Sequence, residues 1–359
     1  MITGMVAMFL TGATAARTPE ALRRFEFSRT VMAAPMNLVL YAADPEVASR
    51  AAEAAFARAR ALDAIMSDYD PASELSRLSA AAGGGFVALS DDLWRVLVRS
   101  QELSAATEGA FDVTIGPCVA LWRRARRSRE LPAAEELAAA RARCGHRLLV
   151  LDVERRSARL DRSGMRLDLG AIAKGYAAQE ALFAIEKLGV ARALVDMGGD
   201  LALGDPPPGA RGWRIGVAPL RDGVPSLYLW LSRCAAATSG DVHRFVEIEG
   251  RRYSHVLDPR TGVGLTDRSC VTVVAPDAAA ADALATAVSV LGPERGLALL
   301  DGKAGAAGRV VRVVDGAEEI RESARWKTLP VFVPEEHRAR PSGSPSSPVK
   351  KGGAAEPKR

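Results

Sequence analysis

The ten-residue stretch LDLGAIAKGY, residues 167–176, constrains this chain more than any other part of its sequence. Leu167 and Leu169 flank Asp168 with the alternation typical of a half-buried strand, and Gly170 ends that pattern. Helix formers follow. The stretch therefore predicts the end of a strand, a tight glycine turn and the N-terminus of a helix.

The same stretch combines groups that suit a phosphate ligand held together with a hard metal ion. A helix N-terminus offers free N–H groups and positive partial charge, and Lys174 adds a cation. Asp168 and the turn carbonyls offer oxygen ligands to a metal. An ordinary strand–helix connection, in which Asp168 is a buried cap, explains the pattern equally well, so the motif alone leaves both interpretations open.

Strands in runs, with helices segregated between them, predict an α+β fold rather than a doubly wound sheet. Capping residues and apolar periodicity predict helices over residues 45–66, 91–106, 132–144, 171–188 and 277–291, whereas residues 108–122 read as irregular. Strand patterns fall at residues 25–43, 147–162, 193–203, 213–274 and in a closing pair near residue 333. We expect one large domain over residues 28–335, a leader over 1–27 and a disordered basic tail over 336–359.

Charge and apolar runs exclude several classes of protein. The net charge is +5, but six of the bases lie in residues 337–359 with one acid, so the rest of the chain is neutral and a nucleic-acid partner is not expected. The arginine-rich segment 123–129 is predicted to be a solvated face. Without an apolar run of 18 residues, no transmembrane helix is expected. The four cysteines lack the spacing of a zinc site, and their pairing stays open.

Three further segments carry groups with chemical potential. Asp282 and Thr286 are four residues apart, so they project from one helix face as half of a Mg²⁺ site or as a plain polar edge. His255 precedes a turn and is either a general base or a packed imidazole. The loop around Phe111 and Asp112 either stacks and hydrogen-bonds a flat ring or plugs the core beneath it.

Taken together and in order, four blocks resemble the ApbE family, the FAD:protein FMN transferases. They are AFDVTIGP (110–117), LDLGAIAKGYAA (167–178), ATSGD with YSHVLDPRTG (237–262) and VTVVAPDAAAADALATAVSVLG (271–292). The segments SDYDPASELSRLS (67–79) and LVDMGGD (194–200) agree with the same pattern. The resemblance implies a single domain whose FAD and metal site lies between sheets and helices. It also implies Mg²⁺-dependent transfer of FMN from FAD to a Thr or Ser of an acceptor protein, with release of AMP.

The resemblance carries over to individual positions. Asp168 and Lys174 match FAD contacts, and His255 matches the histidine beside the reacting phosphate, which makes it the catalytic candidate. The metal positions of the family match Ala171, through its backbone carbonyl, and the side chains of Asp282 and Thr286. Further FAD contacts match Met32, Tyr69, Ala110, Phe111 and Asp112, and of these Tyr69 is the stacking ring.

This chain departs from the family on its first strand, where Met32-Ala33-Ala34 stands in place of the usual Met-Gly-Thr. Two other functions stay open: an FAD pyrophosphatase, which shares every site residue and gives FMN and AMP, and a flavin-binding carrier without turnover, which the altered strand permits. The resemblance also implies an acceptor with a Ser/Thr-Gly-Ala-Thr-like motif. Thr14, in the sequence LTGAT, matches that motif and is a candidate for self-flavinylation, although a chance match is the simpler explanation.

The resemblance implies a location on the periplasmic or cell-envelope side of the cytoplasmic membrane, with which a peripheral membrane association is compatible. The N-terminal segment supports this weakly. It has a short apolar run and a small-residue cleavage pattern, but no positively charged region precedes them. A remnant export signal and a disordered leader are both open interpretations of residues 1–27.

Overall fold

A computed structural model describes residues 21–221, 223–240 and 244–332. The helices are α1 (Pro45–Met66), α2 (Glu74–Ala80), α3 (Asp91–Ala106), α4 (Gly116–Ser128), α5 (Ala134–Arg141), α6 (Ala173–Glu186) and α7 (Ala278–Asp301). The strands are β1 (Arg23–Val31), β2 (Ala34–Ala42), β3 (Val87–Ala88), β4 (Leu149–Asp152), β5 (Ser157–Leu160), β6 (Ala193–Met197), β7 (Asp200–Leu203), β8 (Trp213–Gly216), β9 (Tyr228–Leu231), β10 (Cys234–Gly240), β11 (Phe245–Ile248), β12 (Arg251–Ser254), β13 (Leu257–Asp258), β14 (Val263–Gly264), β15 (Ser269–Ala275), β16 (Ala307–Val314), β17 (Ala317–Glu322) and β18 (Val331–Phe332). Thr14 and the predicted tail lie outside the described residues.

An antiparallel sheet of eight strands, in the order β1-β2-β6-β7-β10-β15-β16-β17, forms the centre of the fold. Its strands alternate apolar side chains between two faces, as β2 does with every second residue buried. One face packs on α1, α6 and α7, and the other packs on the small sheet β18-β9-β8 around Trp213 and Trp326. This arrangement confirms the α+β prediction, and β1 begins at Arg23, inside the range predicted as leader.

A second core holds the hairpin that carries His255 against α4 and α5. The Trp122 ring of α4 packs at a tilt against the Tyr253 ring of β12, with 5.0 Å between ring centroids, and its indole N–H donates to the carbonyl of Gly262 over 2.8 Å. Cys118 and Cys144 are free thiols in this cluster, with sulfur atoms 3.8 Å apart. The cluster holds the segment between β12 and β14 against α4 and α5.

Helix α7 is the described helix that is long and apolar enough to cross a bilayer by length and composition, with a mean hydropathy of 1.3 over its best window. Half of that window is buried. The helix lies against β10, β15 and α6, and Gly292, at φ 77°, breaks it before Pro293. These contacts are those of a core helix. The break at Gly292 falls where the sequence predicts the end of the helix over residues 277–291.

Two local predictions are wrong. Residues 167–169 form no strand: Arg166 makes one isolated bridge with Ile115, and the Asp168 amide donates to the Val113 carbonyl over 2.8 Å. The segment predicted as irregular contains the start of α4, because Gly116 and Pro117 open that helix rather than interrupt it. A side chain at Gly116 would lie 2.5 Å from the Arg166 carbonyl oxygen, so this glycine permits the close approach.

Candidate functional site

The turn before α6 orients Asp168 with its own backbone. The Gly170 amide donates to Asp168 Oδ1 over 2.8 Å, and the amides of Ile172 and Ala173 both donate to the Leu169 carbonyl. Burial and the charge of Asp68 raise the pKa of Asp168. The guanidinium of Arg123, whose Nη2 lies 3.0 Å from Asp168 Oδ2, opposes that shift and favours the carboxylate.

Lys174 extends from the first turn of α6 to two buried carboxylates on different elements. Its Nζ donates to Asp200, at the start of β7, and lies 3.4 Å from Asp282 Oδ2 on α7. Burial alone would lower the pKa of Lys174, but the two carboxylates raise it above its usual value. Burial and the neighbouring charge of Asp282 raise the pKa of Asp200, and Lys174 opposes this. The site is thus a buried cation between two carboxyl groups.

Gly175 brings α6 and α7 into close contact at this point. A Cβ atom on Gly175 would lie 2.1 Å from the Ala278 carbonyl oxygen and 2.8 Å from the Asp282 Cβ. The Gly175 amide donates to Asp282 Oδ2 over 3.1 Å. In a regular helix that amide would donate to the Ala171 carbonyl, and here the Asp282 carboxylate accepts from it instead.

These groups fit a hard divalent cation. The set comprises the buried Asp282 carboxylate, the half-buried Thr286 hydroxyl one helical turn further along α7, and the Ala171 carbonyl. Within the described ranges no group of three or more His, Cys, Asp and Glu side chains is placed to hold a metal. A carboxylate–hydroxyl–carbonyl set lies outside that definition and has the oxygen-only chemistry that Mg²⁺ prefers.

His255 is held as a neutral imidazole by a contact of its Nδ1 with the main chain. Its Nδ1 lies 3.1 Å from the Arg244 carbonyl oxygen, which accepts and never donates, so Nδ1 carries the proton and Nε2 keeps its lone pair. Burial lowers the pKa of His255 to about 4, and the charges of Arg244, Arg126 and Lys174 act in the same direction. At neutral pH the ring therefore offers a base at Nε2.

Tyr69 and Asp168 share one partner, Arg123. The Arg123 guanidinium carbon lies 4.2 Å from the centroid of the Tyr69 ring, and the same group pairs with Asp68 and Asp168. Tyr69 is 74% exposed, as a stacking ring requires. The prediction of a solvated face for the arginine run is wrong for Arg123, because its side chain is 28% exposed and lies within the site.

The Phe111 side chain is buried in the main core, so its ring is not available for stacking on a ligand and acts as the plug of the alternative interpretation. Ala110 is buried as well. Asp112 accepts hydrogen bonds from the amide and hydroxyl of Thr114, at 2.8 and 2.7 Å, and burial raises its pKa. The backbone atoms of Ala110, Phe111 and Asp112, rather than their side chains, would therefore make any contact with a ligand.

Met32 lies in the turn between β1 and β2, half-buried, and its amide donates to Asp63 Oδ2 over 3.3 Å. This turn adjoins the Gly198–Gly199 turn that precedes Asp200, because the Gly198 amide donates to the Pro35 carbonyl over 2.9 Å. Ala33 has φ 54°, a left-handed conformation that costs an L-residue more than glycine. The departure from the family pattern thus falls where the backbone favours glycine.

The structure brings Asp168, Lys174, Asp282 and the Ala171 carbonyl to the start of α6, with His255 within reach of the Lys174 charge. Sequence reasoning missed two residues of this site. Asp200 was visible as the acid of the GGD sequence, but no spacing rule connects it with Lys174. Arg123 had no distinguishing signal among its neighbouring arginines.

Comparison with known proteins identifies the family of this chain. The sequence model of the ApbE family matches residues 32–309. The FAD:protein FMN transferase of Treponema pallidum (strain Nichols) is 32% identical over 314 residues, covering 83% of this chain and 87% of that protein. The protein of the same name from Vibrio cholerae serotype O1 is 33% identical over 264 residues, covering 72% and 78%.

Solved structures share the fold. Flavin Transferase ApbE from Vibrio cholerae aligns with a TM-score of 0.78 and 28% identity over 86% of this chain and 99% of that chain. The apo form of Pseudomonas stutzeri flavinyl transferase ApbE aligns with a TM-score of 0.77 and 30% identity over 87% and 98%. The fold is that of an α+β protein, and the candidate site lies where α6, α7 and the hairpin that carries His255 come together. The chain belongs to the ApbE family, so the family resemblance and the fold expected from its sequence are confirmed.

Proposed function

We propose that this protein transfers FMN from FAD to a Thr or Ser hydroxyl of an acceptor protein, depends on Mg²⁺ and releases AMP. Relatives that match most of the chain are named FAD:protein FMN transferase. The observation that carries the proposal is the convergence at the start of α6 of a buried lysine, an oxygen donor set on α6 and α7, and a neutral histidine.

The residues of this chain support each part of such a reaction. Asp282, Thr286 and the Ala171 carbonyl would hold Mg²⁺, which offsets the negative charge of the pyrophosphate when bound. Lys174 keeps its charge between two carboxylates and adds positive potential beside the same phosphates. Tyr69 presents an exposed ring for stacking on the flavin. Arg123 contacts both this ring and the Asp168 carboxylate, which brings the two side chains to the same part of the site.

His255 would remove the proton of the attacking hydroxyl through Nε2. The acceptor oxygen then bonds to the phosphorus of the FMN half, the bond between that phosphorus and the bridging oxygen breaks, and AMP leaves with that oxygen. Because the pKa of His255 is lowered to about 4, the base is in its neutral form throughout the neutral range. Cell-envelope location and an acceptor with a Ser/Thr-Gly-Ala-Thr-like motif are part of the proposal and come from the family resemblance.

Incubation with FAD and Mg²⁺, with and without a tagged protein that carries such a motif, tests the proposal. We expect a covalent flavin band on the acceptor and equimolar AMP. Free FMN and AMP in both samples would instead identify a pyrophosphatase, and bound FAD without AMP would identify a carrier. The His255→Ala variant should lose transfer while its FAD affinity, measured by titration, stays within a few-fold of wild type. Full transfer by that variant would contradict the role of His255.

A further inference from the structure

We propose that Arg123 is the positioning residue for the flavin end of the site. Its guanidinium backs one face of the Tyr69 ring and orients the Asp168 carboxylate, so that a flat heteroaromatic ligand meets a prearranged tyrosine and acid. This inference rests on the proposed function, since it assigns Tyr69 and Asp168 to the flavin nucleotide.

Arg123 joins three segments that are far apart in the sequence. It extends from the middle of α4, pairs with Asp68 in the loop after α1, and pairs with Asp168 in the turn before α6, at 3.0 Å. Its guanidinium carbon lies 4.2 Å from the Tyr69 ring centroid. A planar guanidinium forms two ion pairs and a stacked contact at once, which a lysine ammonium does not.

Tyr69 needs such a support because its side chain is 74% exposed. An exposed ring samples several rotamers, and a ligand that stacks on it must first restrict it. The stacked guanidinium restricts the ring beforehand and covers one face, so the opposite face is available to a ligand. Arg123 therefore raises affinity for a ring system without contacting the reacting phosphate.

Asp168 needs the same cation for its charge. Burial and the charge of Asp68 both raise its pKa, and Arg123 opposes them. Arg123 pairs with both Asp68 and Asp168, so its removal would leave these two carboxyl groups near each other without the cation between them. Repulsion would then turn one of them away or favour its protonated form, and in either case Asp168 would lose its orientation.

Helix α4 offers a matched control. Arg124 is adjacent in sequence and also forms an ion pair, with Glu136, but both side chains are about half exposed, at 52% and 46%. Substitution of Arg124 removes one charge and one ion pair from the same helix without touching Tyr69 or Asp168. The variants Arg123→Gln and Arg124→Gln therefore differ in whether the site loses its cation.

The experiment measures FAD affinity by isothermal titration calorimetry in EDTA without acceptor, and separately kcat and KM for FAD with Mg²⁺ and acceptor. For Arg123→Gln we expect FAD affinity to fall about 10- to 100-fold, because one stacked contact and two charge-assisted pairs disappear. KM for FAD should rise in parallel, while kcat stays within about threefold. Arg123→Lys should recover part of the affinity, and Arg124→Gln should bind like wild type.

Equal FAD affinity of Arg123→Gln and Arg124→Gln overturns the inference, as does a loss of kcat at unchanged affinity. If Arg123→Gln does not fold, Arg123→Lys decides: reduced affinity with unchanged kcat supports the inference, and wild-type affinity overturns it. The wild-type transfer assay alone decides the proposed function. A wild-type protein that binds FAD without transferring FMN contradicts that function, while the affinity ratio of the variants still decides the role of Arg123.

Discussion

Gly175→Ala is the substitution that best separates the geometry of this site from its chemical groups. A Cβ at this position would lie 2.1 Å from the Ala278 carbonyl oxygen and 2.7 Å from the carbonyl carbon. Both are backbone atoms, which no rotamer change moves aside. Ordinary contact between such atoms begins near 3.4 Å, so α6 and α7 must separate by more than about 1 Å.

The magnitude follows from two effects. Overpacking between core elements costs about 1–3 kcal/mol. Separation of the helices also weakens the hydrogen bond from the Gly175 amide to Asp282, and a bond to a charged group contributes about 1.5–3 kcal/mol. We therefore expect the free energy of unfolding to fall by roughly 3–5 kcal/mol. Because Asp282 moves by about 1 Å relative to Ala171, transfer should fall about 100-fold.

Urea unfolding at pH 7.5 and the FMN transfer assay measure these two quantities. Gly302→Ala is the matched control, since Gly302 follows the same helix α7, has a negative φ of −80°, and a Cβ there would lie 3.6 Å from the Leu299 carbonyl oxygen, an ordinary contact. It should leave stability and transfer near wild type. A Gly175→Ala protein with wild-type stability and wild-type transfer would refute the reasoning.

Three further predictions follow from the structure. The pKa of His255 is lowered to about 4 from an unfolded value near 6.5, so the unfolded chain binds the proton first. The residue therefore contributes stability above about pH 6.5 that is lost as the pH falls to 4, by up to about 3 kcal/mol; His255→Gln should flatten this slope in urea unfolding at pH 7.5 and 4.5. Lys174→Met should cost about 3–5 kcal/mol because it leaves buried acids unpaired, and adding Asp200→Asn should restore part of the loss, which a double-mutant cycle in urea measures. Ala33→Gly should raise the free energy of unfolding by about 1 kcal/mol because φ is 54°, whereas Ala34→Gly on β2 should lower it; thermal melts in parallel distinguish them.

Elements with local signals could be predicted from the sequence. The Asp44 and Ser90 caps mark the starts of α1 and α3, and an apolar stripe marks α1 along its whole length. The glycines at 198 and 199 mark a tight turn, and both have positive φ. In these places the information lies within a few residues, so reading the sequence is enough.

Elements that depend on distant contacts could not be predicted. Residues 167–169 have strand alternation, but the Asp168 amide donates to the Val113 carbonyl of a loop and the Leu167 amide to the Ser79 hydroxyl, so the burial pattern is right and the secondary structure is not. Arg123 lies within an arginine run, and its role depends on Asp68 and Asp168, which α4 meets through tertiary packing. Asp200 becomes part of the site through a lysine on another element.

The hydrogen bond between Gly175 and Asp282 spans 107 positions of the chain. Two of the three proposed oxygen donors, Asp282 and Thr286, therefore emerge from the ribosome long after the turn before α6, and the proposed metal site is complete only when α7 has docked on α6. On the proposed function, FAD binds the folded chain, so bound nucleotide withdraws molecules from the unfolded pool by mass action and the amount of folded protein rises with FAD concentration.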